Sequence, residues 1–313
     1  MTGAVSGTVT GAAVRTVLGD VPPGELGVCD AHDHLFLRTP SLPGQELDDP
    51  GAALDELRGF AASGGQAVAQ WTPWGLGRRR EELPALSRAS GVHVVAATGV
   101  HRWAHYDQDA RDRMPEDADG LAALFVTELT RGPVRAGMIK VAGGFHGLDD
   151  HARRSLRAAA LAHHATGAPV GVHLEGGTAA LDVLDVLCGE HGVPARRVLL
   201  GHLGRSPDAG IHRRVAEAGA YLVFDGPSRA HHATDWRLFD CLAALVEAGY
   251  ADRVLLGGDT TTASARASGD GPGMRFLLDG LRPRLIRVFG DAPTDQVLRL
   301  NPAQALATPW PTP

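Results

Sequence analysis

The chain alternates short apolar runs with longer amphipathic stretches over most of its length. Each short run is continuously apolar, as expected of a parallel strand that is buried on both faces. Corners rich in glycine and aspartate follow most of the runs. Eight strands are therefore predicted, at residues 27–32, 66–71, 92–98, 137–141, 170–174, 198–202, 221–225 and 254–258.

The amphipathic stretches between these runs predict helices, several of which are closed by a glycine. These helices are expected at residues 53–62, 81–88, 121–130, 151–165, 179–190, 210–218 and 238–248. No change of composition and no long linker interrupts the series, so we expect a single-domain α/β protein, a (β/α)8 TIM barrel. Residues 1–25 would form an N-terminal lead-in, 26–260 eight strands with seven helices, and 261–313 the C-terminal helices. A dinucleotide-binding sheet is the alternative, but no glycine fingerprint follows the first strand.

Composition narrows the function classes. A length of 313 residues suits one barrel, and a net charge of −6 argues against a nucleic-acid surface. No apolar stretch approaches the span of a bilayer, so no membrane partner is expected. Neither a signal peptide nor a disulfide pattern is visible among three widely spaced cysteines, which favours a cytoplasmic protein.

Candidate chemistry lies at the ends of the predicted strands, where active sites of such barrels are found. His32 and His34 close the first run, and residues two apart in a strand point to the same face. Four further runs carry, within one residue of their carboxyl end, a side chain that can serve a metal site. These residues are Lys140, His173, His202 and Asp259. The sequence therefore predicts one metal site at the mouth of the barrel.

The residue types in this set are chemically compatible. Imidazoles and carboxylates suit zinc, manganese, cobalt or iron. A buried lysine amine beside two cations should lose its proton and, after reaction with carbon dioxide, become a carbamate that bridges both ions. The ions would then share a hydroxide that is nucleophilic at neutral pH, and Asp259 could accept its proton during attack. Hydrolysis at a carbonyl or phosphoryl centre is the reaction class expected.

At this point the chain resembles the phosphotriesterase-like family of the amidohydrolase superfamily. The resemblance rests on the segments Thr16–Gly19, Glu25–Gly27, Ala31–His34 and Asn301–Ala303. It implies two divalent ions, with zinc expected first, bridged by carbamylated Lys140. The implied ligands are His32, His34, Lys140, His173, His202 and Asp259, and a homodimer is implied by the resemblance alone.

The branch of the family with lactonases for sugar-derived substrates and a bacterial phosphotriesterase homology protein is similar at Val223–Gly226, with Arg229, and at Gly271–Gly273. Thr260–Ala263 stand where phosphosugar lactonases tend to carry basic and tyrosyl residues, which removes much of a phosphate clamp. His101 and His231 occupy positions that are often aromatic in the family. Arg229, His101 and His231 are therefore the predicted substrate-binding residues.

The leading hypothesis is a hydrolase of lactones or carboxylic esters, with a small-molecule substrate and organophosphate hydrolysis at most a side activity. Asp259 is the predicted catalytic residue. An amidohydrolase of N-acyl amino acids is the alternative with the same site. A metal-binding scaffold barrel is the alternative without catalysis.

Overall fold

The computed structural model describes residues 11–226 and 233–311. Eight strands run parallel in chain order and form the barrel, so the predicted (β/α)8 architecture is confirmed. The barrel closes where the backbone N–H of Asp259 donates to the carbonyl oxygen of His32 at 2.9 Å. The strands are β1 Ala13–Thr16, β2 Gly19–Val21, β3 Cys29–Asp33, β4 Ala67–Gln70, β5 His93–Gly99, β6 Met138–Ala142, β7 Val170–His173, β8 Val198–Gly201, β9 Tyr221–Asp225, β10 Val254–Gly257 and β11 Ala307–Thr308.

Helices cover the outside of the barrel. They are α1 Pro50–Ala62, α2 Leu83–Ser90, α3 Gln108–Arg113, α4 Ala118–Thr130, α5 Asp150–Thr166, α6 Ala180–Leu184, α7 Ala209–Glu217, α8 Leu238–Glu247, α9 Arg282–Phe289, α10 Asp291–Asp295 and α11 Asn301–Leu306. Segments 185–190, 277–281 and 296–300 are π-helical. Among the described residues, no helix is long and apolar enough to cross a membrane.

Aspartates determine where several helices begin. Asp49 caps α1 by accepting the backbone N–H groups of Gly51 and Ala52, and Asp117 caps α4 in the same way. Both helices therefore begin three residues before the predicted position. The prediction started each helix where its apolar periodicity begins, and the first turn of a helix need not follow that pattern. The prediction of one continuous helix at residues 179–190 was wrong, because this segment divides into α6 and a π-helical turn. Helix α3 was not predicted.

Alternation along the strands separates two layers of core. On β5, Val95 and Ala97 pack in the cluster inside the barrel, whereas Val94 and Ala96 pack against the helices. On β6, Met138 belongs to the inner cluster. Because side chains two apart share a face of a strand, Lys140 enters the interior of the barrel beside Met138.

Trp71 fills the centre of the barrel. Its ring is fully buried, and its indole N–H donates to the carbonyl oxygen of Ala31 at 2.8 Å. A Cβ atom at Gly171 or Gly201 would lie only 2.9 or 3.3 Å from the Trp71 ring. These two glycines therefore make room for the ring, which stacks beneath His32 with centroids 4.0 Å apart.

A small antiparallel sheet covers the amino end of the barrel. Strand β1 pairs with β2 on one side and with β11 on the other, with Val14 opposite Ala307. The predicted lead-in and the C-terminal segment thus meet in one sheet. These strands were not predicted because two to four residues are too few to display a period.

Asn301 ties the C-terminal helices to the barrel. Its fully buried side chain donates to the carbonyl oxygens of Ala251 and Val254 at 2.8 and 2.7 Å. We predict that Asn301→Ala lowers the free energy of unfolding by about 3 kcal/mol, because two buried carbonyls lose their donors. Denaturant unfolding measures this difference. Gln304→Ala, at an exposed position of the same helix, is the matched control and should change stability by less than about 0.5 kcal/mol.

Candidate active site

A cavity of about 190 Å³ opens at the carboxyl ends of the barrel strands. The strand ends and the loops that follow them supply its walls. The structure brings together in this one cavity all six predicted metal ligands and one predicted substrate-binding residue: His32, His34, Lys140, His173, His202, Asp259 and His101. Arg229 and His231 lie outside the described residues.

Asp225, at the end of β9, orients two of the histidines. Its carboxylate accepts hydrogen bonds from Nδ1 of His32 at 2.7 Å, from Nδ1 of His202 at 2.6 Å and from the backbone N–H of His202 at 3.0 Å. Burial alone would raise the pKa of Asp225, but the adjacent His202 and His32 outweigh it and hold the pKa below the usual range. Asp225 is therefore an ionised acceptor, and each ring carries its proton on Nδ1 and a lone pair on Nε2.

The other two histidines are oriented by different partners. The Thr72 hydroxyl donates to the carbonyl oxygen of Phe36, so its oxygen accepts from Nδ1 of His34 at 2.7 Å. The carboxylate of Glu175 accepts from Nε2 of His173 at 3.0 Å. This contact, which opposes the effect of burial, lowers the pKa of Glu175 to about 2. His34 thus presents a lone pair on Nε2, and His173 presents one on Nδ1.

The arrangement of His173 and His202 fits a cation. Nδ1 of His173 and Nε2 of His202 lie 2.7 Å apart, and each ring has a carboxylate bound on its far side. Burial lowers the pKa of both rings, that of His173 well below its ordinary value. Two ring nitrogens that meet in one cavity, each ring being held from behind by a carboxylate, are suited to bind a metal ion.

A second group of possible metal-binding atoms lies around one oxygen of Asp259. Oδ1 of Asp259 lies 3.7 Å from Nε2 of His32 and 3.5 Å from Nε2 of His34, and all three side chains are buried. Burial lowers the pKa of His34 to about 4, which keeps that ring neutral. These atoms lie close enough together to hold one ion. Ring nitrogens of His32 and His202 and a carboxylate oxygen of Asp225 also lie within 4.8 Å of one another. Their short contacts, however, are the hydrogen bonds that orient the two rings.

The other oxygen of Asp259 is bound by Arg205. Nη2 of Arg205 donates to Oδ2, and the guanidinium lines the cavity. Burial alone would raise the pKa of Asp259, but His202 and Arg205 outweigh it and hold that pKa well below the ordinary value. Asp259 is therefore ionised, with one oxygen on Arg205 and one directed at the histidines.

The ends of β3 and β10 are fixed to each other by three consecutive backbone amides. The N–H of Gly258 donates to Asp30 at 3.2 Å, that of Asp259 to the carbonyl oxygen of His32, and that of Thr260 to Asp33 at 2.8 Å. Asp259 has a φ of 50°, in the left-handed region that non-glycine residues rarely adopt. Strain of this kind costs about 1–3 kcal/mol and persists because the surrounding contacts determine it.

Lys140 is the single lysine of a chain that carries 30 lysine and arginine residues. Burial lowers the pKa of the Lys140 amine to about 7. Arginine stays protonated under such conditions, whereas a lysine amine can become neutral and nucleophilic, so lysine is the residue that this position requires.

His101 differs from the four oriented rings. The backbone N–H of Arg102 donates to Nδ1 of His101 at 2.7 Å, and burial lowers the pKa of this ring well below its usual value. The neutral ring must then carry its proton on Nε2. His101 therefore offers the cavity a hydrogen-bond donor, which suits a substrate oxygen better than a metal ion.

Sequence reasoning missed the residues that hold the predicted ligands, namely Thr72, Glu175, Arg205 and Asp225. A signal existed for Asp225, because it closes the seventh predicted strand just as the ligands close others. Glu175 and Arg205 follow His173 and His202 in loops, where no period marks them. Their roles emerge only from side-chain contacts.

Buried imidazoles and ionised carboxylates at the mouth of a (β/α)8 barrel define the site of a metal-dependent hydrolase. Residues 12–306 match the model of the phosphotriesterase family, and the chain belongs to this family, as the sequence segments suggested. The chain is therefore a hydrolase of this family.

The relatives include two kinds of hydrolase. A phospho-furanose lactonase of Mycoplasmopsis agalactiae is 32% identical over 248 residues, covering 72% of this chain and 70% of that protein. An N-acetyltaurine hydrolase of Tetraodon nigroviridis is 27% identical and covers 94% of this chain and 97% of its own length. Among solved structures, a lactonase of Listeria monocytogenes superimposes with a TM-score of 0.86 at 26% identity, covering 94% of this chain and 98% of that one.

We predict that Asp225→Asn weakens metal binding by about 10- to 100-fold, because the amide no longer orients His32 and His202 as an ionised acceptor. Metal titration of the purified protein measures this affinity. Asp252→Asn, at a half-exposed position beside Arg253, is the control and should bind metal as the unaltered chain does. Equal affinities in both variants would contradict the orienting role of Asp225.

Proposed function

We propose that this hydrolase opens lactones or cleaves related carboxylic esters with two divalent ions, zinc being the first expectation. His32, His34 and Asp259 would hold the more buried ion, and His173 and His202 the other. Lys140, as a carbamate, would bridge the two. The observation that carries the proposal is the orientation of four imidazoles, each bound at one ring nitrogen by a carboxylate or hydroxyl oxygen and each directing its other ring nitrogen into one cavity.

Each residue then has a defined task. When bound, the two ions would supply a hydroxide nucleophile at neutral pH and polarise the substrate carbonyl. Asp259 would keep Oδ1 for the metal. Because the pKa of its carboxyl is low, it would pass an accepted proton on readily to the leaving oxygen. Arg205 would hold Asp259 through Oδ2 until that oxygen takes up the proton.

The remaining walls of the cavity support a compact ester with both apolar and hydroxylated parts. Apolar side chains and hydroxyl groups share this lining: Leu37, Leu42, Pro73, Leu76, Thr39, Ser41 and Thr261. His101 would donate from Nε2 to a substrate oxygen. Arg229 and His231 are proposed as further substrate contacts, with Arg229 suited to a carboxylate or a lactone oxygen. Phosphotriester hydrolysis is proposed as a weak side activity.

Hydrolysis of an N-acyl amino acid or a related amide is the second candidate. The observation that favours it is the N-acetyltaurine hydrolase relative, which aligns over 94% of this chain. The same nucleophile would attack an amide carbonyl, and an arginine would bind the acid group of the substrate. The two candidates therefore differ in the bond cleaved and share the metal site.

We expect the zinc-loaded protein to hydrolyse members of a lactone panel faster than members of an N-acyl amino acid panel. Removal of the metal by a chelator, and the variant His202→Ala, should each abolish activity on both panels, because the site loses its ions. His164→Ala, at an exposed position on α5, is the control and should keep full activity. Undiminished activity of the chelated protein or of His202→Ala would contradict the proposal, and a preference for the amide panel would favour the second candidate.

Carbamylation of Lys140 should depend on pH. Since the pKa of this amine is about 7, we expect dissolved carbon dioxide, held at the same concentration at each pH, to accelerate metal reconstitution at about pH 8, where the amine is largely neutral, and much less at about pH 6. With labelled bicarbonate, carbon NMR should show a carbamate signal in the loaded protein. The assignment is direct because the chain has no other lysine. Lys140→Arg should lack both the signal and the acceleration.

A further inference from the structure

Glu175 connects a proposed metal ligand to the rim of the cavity. It follows His173 by two residues, at the start of a short 3-10 turn after β7. One oxygen, Oε2, lies 3.0 Å from Nε2 of His173 and 2.6 Å from Nη1 of Arg102. Both partners are thus held by a single atom. The carboxylate and the guanidinium are each about one-third exposed.

His173 is the exception among the four oriented histidines. The partners of His32, His34 and His202 bind Nδ1 and leave Nε2 for the cavity. Glu175 binds Nε2 of His173, so this ring alone presents Nδ1. The His173 side chain is 13% exposed, against 1% for His32 and 2% for His202. The ring that Glu175 holds is therefore the one with the most freedom to turn.

The backbone around Glu175 is well fixed. Its carbonyl oxygen accepts from the hydroxyl of Thr178 at 2.8 Å, and that hydroxyl accepts from the backbone N–H of His146 at 2.8 Å. A Cβ at Gly177 would lie 2.5 Å from the carbonyl oxygen of His202, so the turn packs directly against the neighbouring ligand strand. Glu175 therefore has a rigid base from which to orient a ring.

We propose that Glu175 is the positioning residue that turns Nδ1 of His173 towards the more exposed metal position, with Arg102 holding the carboxylate in place. The proposal rests on the metal site of the proposed function. Outer carboxylates that bind ligand imidazoles commonly change metal affinity by 10- to 100-fold when they are removed. Because Glu175 touches only His173 among the proposed ligands, its effect should fall on one of the two ions.

The competing interpretation is an ordinary ion pair at the rim. Exposed pairs of arginine and glutamate contribute little to stability, and their loss leaves the rest of the protein unchanged. Under this interpretation, removal of Glu175 would leave the binding of both ions as it was. The two interpretations thus predict different metal titrations.

The test compares zinc titrations of the full chain and four variants, with bound metal quantified per chain. Glu175→Leu removes both acceptor and charge, and we expect affinity for the second ion to fall by about 10- to 100-fold while the first ion stays within about threefold. Glu175→Gln keeps an acceptor oxygen and should lose less. Arg102→Gln leaves the carboxylate on His173 and should lose less than Glu175→Leu. Glu217→Gln, which removes a surface pair with Arg213, should match the unaltered chain.

A second readout separates positioning from general damage. Nitrogen NMR of histidine-labelled protein should show zinc on Nδ1 of His173 in the unaltered chain and lose this signal in Glu175→Leu, with activity restored at high zinc concentration. Unchanged affinity for the second ion in Glu175→Leu would overturn the proposal. If that variant does not fold, unchanged affinity in Glu175→Gln overturns it instead. If the unaltered chain binds fewer than two ions, the proposed function fails rather than the role of Glu175 alone.

Discussion

The site depends on one buried carboxylate. Asp225 accepts from two rings and one backbone amide, which join β3, β8 and β9 at a single point. A buried charge is costly unless donors surround it, and here the donors are the histidines that the site requires. The same hydrogen bonds that make Asp225 tolerable inside the barrel select the tautomers of His32 and His202. The contacts that stabilise the buried charge of Asp225 therefore also orient the two histidine rings.

The seam between the first and last barrel strands has a comparable double role. Three successive amides of β10 and its extension meet β3, and the residue in their middle is Asp259. The left-handed backbone of Asp259 lies at the point where the barrel closes. Asp30 and Asp33 accept the flanking amides, so the strained residue is supported on both sides.

The sequence predicted the barrel, because continuous apolar runs mark strands that are buried on both faces and because the residues at their ends are chemically distinctive. It placed His173 and Lys140 at the mouth for the same reason. It did not yield the Glu175 and Arg205 contacts, since a loop residue can point in many directions and only packing selects one. It also missed β1, β2 and β11, and the pairing of β1 with β11 joins residues almost 300 positions apart. Local pattern carries no information about such distant partners.

The small sheet at the amino end limits the routes by which small molecules can reach the cavity. With β1, β2 and β11 across one end of the barrel and Trp71 filling its centre, the cavity communicates with solvent from the loop side. Metal ions, substrate and product would then all enter and leave through the same opening of the cavity. Under the proposed function, ions held below the substrate would have to enter before it, and a bound substrate would delay their escape.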